Sequence, residues 1–212
     1  RLVSLLDCPS NEIEFLDGVF IARSTNHQFK FSDVAVRTVD SHGPLKVVRK
    51  NEMHTPVYPN GTAICEVEID PKTGTTTVTR YSTVDDVGRC INPLIVHGQT
   101  HGGIVQGAGQ ALFEHCFVDH NSGQPVTGSL MDYGISRAAD FPSFKTEIAE
   151  VLSPTNPLGI KAGGEGGTTP ALATIVNAVV DALAEFGVED IAMPLTPQRV
   201  WAAIQNSSSS NH

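Results

Sequence analysis

The sequence predicts an α+β fold, and three observations carry that prediction. Apolar residues recur with period two on both sides of two turn-forming clusters, which marks two hairpins. Later stretches carry helix caps and first-turn prolines. Strand and helix signals do not alternate in the βαβ order of a doubly wound sheet.

The first hairpin is "EIEFLDGVFIA", turning at Asp17-Gly18, a pair suited to a two-residue loop. "FSDVAVRTVD" then reads as a short helix with Ser32 as its cap. A polar stretch from Ser41 to Asn60 has little periodicity and is expected to be a long loop or arm. The second hairpin joins "TAICEVEID" to "TTTVTRYSTVDD" through Pro71–Gly74, with Gly74 at a position needing positive φ. Pro93 opens a helix that the glycines at 98, 102, 103, 107 and 109 leave helix-compatible mainly toward its end. "KTEIAEVLS" reads as a strand. Thr168 or Thr169 caps a helix over 169–186 with Pro170 in its first turn, and Gly187 ends it. "TPQRVWAAI" is a last short helix, capped by Thr196. The expected organisation is an N-terminal hairpin, helix and arm (1–60), a larger C-terminal subdomain with a mixed sheet and packed helices (61–205), and a disordered Ser-rich tail (206–212).

Composition excludes several classes. The chain has 212 residues, and 40% are hydrophobic, enough for a core. No apolar run reaches the roughly 18–20 residues that span a bilayer. The longest, Ala171–Phe186, is broken by Thr174, Asn177, Asp181 and Glu185. A net charge of −9 argues against a nucleic-acid partner. Cys8, Cys65, Cys90 and Cys116 form no close pair, so no metal ligand is assigned and reduced thiols in a cytoplasmic protein are expected. A start at Arg1 without an apolar leader is read as a piece of a longer protein.

Two glycine-rich elements hold the candidate chemistry. "GGIVQGAG" lacks the G-x-G-x-x-G spacing of a dinucleotide fingerprint. Glycines so spaced on a helix serve close helix packing, or they let a flat or anionic ligand approach the backbone. Gln99, His101 and Gln106 beside them favour a ligand, because a glutamine amide both donates and accepts. In "KAGGEGGTTP", Glu165 stands between two glycine pairs. A Glu ahead of a helix often serves only the helix dipole. Here Thr168 and Thr169 are available as caps, and the glycines remove every neighbouring side chain. An acid held this way sits against a reaction centre with nothing between, placed to act as a general base.

The motifs "GRCINPLIVHGQTHGGIVQGAGQALFEHC", "GSLMDYGISRAADFP", "KAGGEGGTTPALATIVNAVVDAL" and "MPLTPQRVWAAI" occur in this order. They resemble the C-terminal half of the molybdenum-binding subunit of the xanthine dehydrogenase family, which includes aldehyde oxidoreductases and aerobic carbon monoxide dehydrogenases. The GEGG form looks most similar to the carbon monoxide dehydrogenase-like members. The resemblance covers Thr62 to Ile204 strongly and extends to Asn11–Val39. It implies that residues 61–205 form a molybdopterin-binding subdomain and that Glu165 is the catalytic base. It also implies cofactor-binding roles for Gln99, His101, Gly102, Gly103, Gln106, Lys161, Gly163 and Gly164. The implied cofactor is molybdenum with molybdopterin, as the cytosine dinucleotide. Iron–sulfur and FAD centres are expected on other subunits, the N-terminal half of the same subunit is an expected partner, and an oligomer is expected. The implied reaction oxidises a small substrate (an aldehyde, an N-heterocycle or carbon monoxide) with water-derived oxygen. The alternative is a non-catalytic pterin-binding or scaffold module. By itself the chain is expected to be inactive.

Overall fold

The structure, a computed structural model, describes residues 2–50, 52 and 54–209. The chain divides into two compact units, Arg1–His54 and Thr55–His212. The boundary predicted at residue 60 falls instead on the first residue of a strand.

The first unit opens with α1 (Leu2–Leu6) and a 3-10 turn (Ser10–Glu12). A meander follows: β1 (Ile13–Leu16), β2 (Val19–Ala22) and β3 (Gln28–Lys30), paired antiparallel in that order. Asp17 and Gly18 have φ of 47° and 79°. A turn with both central residues at positive φ matches the twist of the strands it joins. Next come α2 (Phe31–Arg37) and α3 (Val39–His42). The α2 helix starts one residue before Ser32, which therefore lies inside the first turn and does not cap it; the cap position is Lys30. Leu6, Cys8 and Ala22 form the small core. No regular element lies between residues 43 and 59 among the described residues.

The second unit is built on β4 (Asn60–Asp70) and β5 (Thr75–Asp86). They pair antiparallel from Asp70↔Thr75 to Asn60↔Asp86, with a bulge at Glu66/Val67. The connecting turn is closed by Asp70, whose carboxylate accepts from the Lys72 N–H (3.0 Å) and the Thr73 hydroxyl (2.8 Å). Those bonds hold the Asp70 carboxyl below its ordinary value. Gly74, at φ 74°, takes the position that needs a left-handed backbone.

Three helices complete this unit. The first, α4, runs over Pro93–Leu112, and after it β6 (Lys145–Ile148) lies parallel to β5, from Ser82↔Lys145 to Asp85↔Ile148. The sheet is therefore mixed. Next come α5 (Thr168–Leu183), extended by a 3-10 turn to Phe186, and α6 (Pro197–Ser209). Apolar spacing on α5 puts Ala171, Ile175, Val179 and Leu183 on one fully buried stripe. That stripe packs with Val78 and Tyr81 of β5, Ile104, Ala108 and Ala111 of α4, and Val200 and Ile204 of α6.

Besides α2, three helices depart from expectation. The α4 helix continues unbroken through all five glycines, with Asn92 as its cap accepting from Ile95 N–H at 3.3 Å. At α5 the cap position is Gly167, without a side-chain bond, so neither Thr168 nor Thr169 caps it. The last helix extends over 206–209, where a disordered tail is predicted; residues 210–212 lie outside the described residues.

Candidate functional site

The α4 and α5 helices approach closely enough to exclude side chains. A Cβ on Gly103 would lie 2.9 Å from Thr168 N, and one on Gly107 would lie 2.7 Å from the Thr168 carbonyl. A Cβ on Gly167 would run into the Thr100 carbonyl. Gly103, Gly107 and Gly167 thus form the seam between the two helices. Real Cβ atoms do not sit at such distances, so Gly103 belongs to packing, against its expected place at a ligand.

Three other glycines, of α4 and of the loop before α5, behave differently. Around Gly98, Gly102 and Gly164 nothing lies within 4 Å of a built Cβ. Gln99, Gly102 and Gln106 are exposed and recur at i, i+3, i+7, which places them on one face of α4. This face has a glycine floor flanked by amides that donate and accept. Gly102 leaves its backbone approachable, and the glutamine amides beside it can both donate and accept.

Two predicted cofactor residues are held elsewhere. His101 Nε2 lies 3.2 Å from the Thr146 hydroxyl, and its ring packs edge-on against Phe144 at 5.7 Å. One turn earlier, His97 Nδ1 reaches the same hydroxyl at 2.8 Å. His101 therefore ties α4 to β6. Lys161 donates to Asp86 at 2.5 Å, with each side chain only 11% exposed. Asp86 also accepts from Gly88 N–H (2.8 Å) and Val151 N–H (3.0 Å). Burial alone would push the Asp86 carboxyl up, but these three donors and the lysine charge together hold it below its ordinary value. Lys161 is an anchor for the segment leading into the glycine loop.

That loop places Glu165 one turn before α5. Lys161 N–H donates to Val87 O at 2.8 Å on one side, and Thr169 N–H donates to Glu165 O at 3.1 Å on the other. Both ends are fixed while the Glu165 side chain remains exposed. A Cβ on Gly163 would sit 3.0 Å from Val87 Cγ1. The glycine there lets the loop lie against β5.

Beside the loop lies a cavity of about 340 Å³. Its wall includes Glu165, Gly163 and Gly166 from the loop, Thr100 from α4, Tyr58, and Asp85 from the end of β5. Asp85 is 7% exposed. Its strand carries no motif that singles it out. The available signal is the tandem acid at the end of a period-two strand: neighbouring strand residues face opposite sides, so one of Asp85 and Asp86 had to point inward.

Residues 2–142 match the family described as a molybdopterin cofactor-binding domain. The gamma subunit of the 6-hydroxypseudooxynicotine dehydrogenase complex of Paenarthrobacter nicotinovorans is 36% identical, covering 97% of this chain and 27% of its own length. The crystal structure of a Cu,Mo-containing carbon monoxide dehydrogenase superposes with a TM-score of 0.84 at 26% identity, over 97% of this chain and 26% of that one. Quinoline 2-oxidoreductase from Pseudomonas putida 86 gives a TM-score of 0.83 at 36% identity, over 96% and 27%. The chain spans about a quarter of the length of the curated relatives it matches. It belongs to the molybdopterin cofactor-binding domain family found in the large subunits of molybdenum dehydrogenases.

Proposed function

We propose that this chain forms part of the reaction pocket of a molybdenum hydroxylase large subunit, with Glu165 as its general base. The observation that carries the reading is the placement of Glu165. Its carboxylate stands free on a cavity wall, at the end of a loop whose backbone is fixed on both sides and whose neighbours have no side chains. A base so placed meets a reacting group directly, and proton transfer of this kind contributes about 10²–10⁴-fold to rate.

The Gln99–Gly102–Gln106 face supports the pterin, and Gly163 and Gly164 shape the loop on the cofactor side. A bound molybdenum cofactor supplies the two-electron redox chemistry and activates water-derived oxygen. Within that scheme Glu165 accepts the proton released as oxygen passes to the substrate. The substrate is small: an aldehyde, an N-heterocycle or carbon monoxide. The cytosine dinucleotide form of the cofactor, iron–sulfur and flavin subunits, a cytoplasmic location and an oligomer belong to the same proposal.

The test is Glu165→Gln in the complete enzyme. The amide keeps the shape and cannot take the proton. Molybdenum content and folding should persist while turnover falls by about two orders of magnitude. Turnover at the wild-type rate would remove Glu165 from the reaction.

A further inference from the structure

Asp85 and Asp86 are adjacent, and both are buried. Their surroundings differ completely. Asp86 holds a lysine and two backbone donors. Asp85 receives one hydrogen bond, from the Thr83 hydroxyl at 3.3 Å, and forms no ion pair among the described residues. A buried carboxyl with one long hydrogen bond is costly unless it finds a further partner or carries a proton.

The space around it is shaped to keep it there. A Cβ on Gly61, its partner across β4, would lie 2.6 Å from Asp85 Oδ1, and one on Gly166 would lie 3.8 Å away. Gly61 therefore makes room for the carboxyl in the sheet, while Gly166, in the loop next to Glu165, is only in ordinary contact range of it. Asp85 lines the 340 Å³ cavity, a volume within the range that holds small ligands. The nearby walls are flat and apolar, from Pro59, Val87 and Pro170.

We propose that Asp85 is a ligand-contacting acid of this pocket, donating its carboxyl O–H to a ring nitrogen of an aromatic N-heterocycle. This rests on the reading of the pocket beside Glu165 as the substrate site. Burial without a facing lysine or arginine favours the protonated form, and it pushes Asp85 up from its ordinary value. The Thr83 hydroxyl and the His97 ring of α4 act in the opposite direction. The other titratable groups on the cavity wall are Tyr58 and Glu165; Lys161 is engaged by Asp86. Among the described residues no lysine or arginine pairs with Asp85, and His97 is the group whose charge would favour its carboxylate form. A neutral carboxyl is a donor, and it needs a lone pair on the ligand.

The test compares pyrimidine, whose ring nitrogens stay unprotonated across the working pH range, with benzene, which has the same shape and no acceptor. Binding to the complete enzyme is measured by calorimetry or ligand-observed NMR from about pH 4 to pH 8, a range that starts at the ordinary carboxylate value. One hydrogen bond should favour pyrimidine by on the order of tenfold at the acid end. The preference should shrink as pH rises through the Asp85 value. In Asp85→Asn the amide donates at every pH, so the preference should persist and become flat. In Asp85→Leu it should vanish while benzene still binds. A full preference in Asp85→Leu overturns the proposal, and so does a wild-type preference that ignores pH. Glu165→Gln should leave the preference and its pH dependence intact. Loss of the base role is thus read in that variant's turnover, separately from failure here.

Discussion

The Lys161–Asp86 pair is the buried ion pair of the second unit among the described residues, and its energetics follow from that burial. Each ion gave up hydration, so the pair adds little over an apolar replacement, but removing one partner strands the other. Lys161→Met should destabilise by about 3–5 kcal/mol at neutral pH. The sign with pH is fixed by Asp86. Its carboxyl lies lower in the folded chain than in the unfolded one. Its contribution is therefore complete above the unfolded carboxylate range, near pH ~4, and is lost as pH falls through the folded value. Denaturant melts of wild type and Lys161→Met should converge in acid. A gap that stays constant down to pH 3 would show that packing, not charge, sets the loss. None of this was legible in the sequence, where Lys161 and Asp86 stand far apart and the lysine's proximity to Glu165 invites a cofactor role.

At the scale of the element, α4 sorts its glycines by direction. Gly103 and Gly107, facing α5, are required by close approach, Gly109 is crowded by Glu114 and Ser136, and Gly98 and Gly102 have open space around them. Gly103→Val should lower the melting temperature by overpacking, at a cost of about 1–3 kcal/mol, while Gly102→Val should leave folding intact and reduce molybdenum content of the complete enzyme. Differential scanning together with metal analysis separates the two. Equal thermal losses would mean that both faces are packed. The sequence showed the glycines and the glutamines but could not orient them. Helix propensity argues against a helix carrying five glycines, at about 0.8–1.0 kcal/mol each. Tertiary contact overrides it, because Gly103 and Gly107 allow burial that no larger residue permits. The two hairpins were readable because their information is local: period two on each strand and a turn residue at positive φ. Asp85 was legible only as one of a tandem acid pair, since which of the two meets Lys161 is set by a segment distant in the chain.

For the whole molecule, the second unit holds a continuous core of α4, α5, α6 and β5, while the Gln99–Gly102–Gln106 shelf is open. The 212-residue chain made alone should therefore melt cooperatively and carry no molybdenum, because a cofactor gripped from one side leaves polar groups unpaired. Stoichiometric metal in the purified chain would show that the shelf and loop suffice. The α+β class was legible from the two hairpins and the capped helices. The parallel placement of β6 was not, because nothing in four residues of strand says which neighbour they join.

That parallel pairing has a kinetic consequence. Thr75 meets Asp70 across a short turn, whereas Lys145 joins Ser82 only after the chain has travelled through α4 and back. Contacts between distant parts of a chain form later than those between near neighbours. The β4–β5 hairpin can zip from its turn, but the Glu165 loop is held by backbone bonds that lie beyond the β6 crossover. Refolding should therefore pass through species that own most of the secondary structure and none of the pocket, with competence for ligand arriving in the final phase.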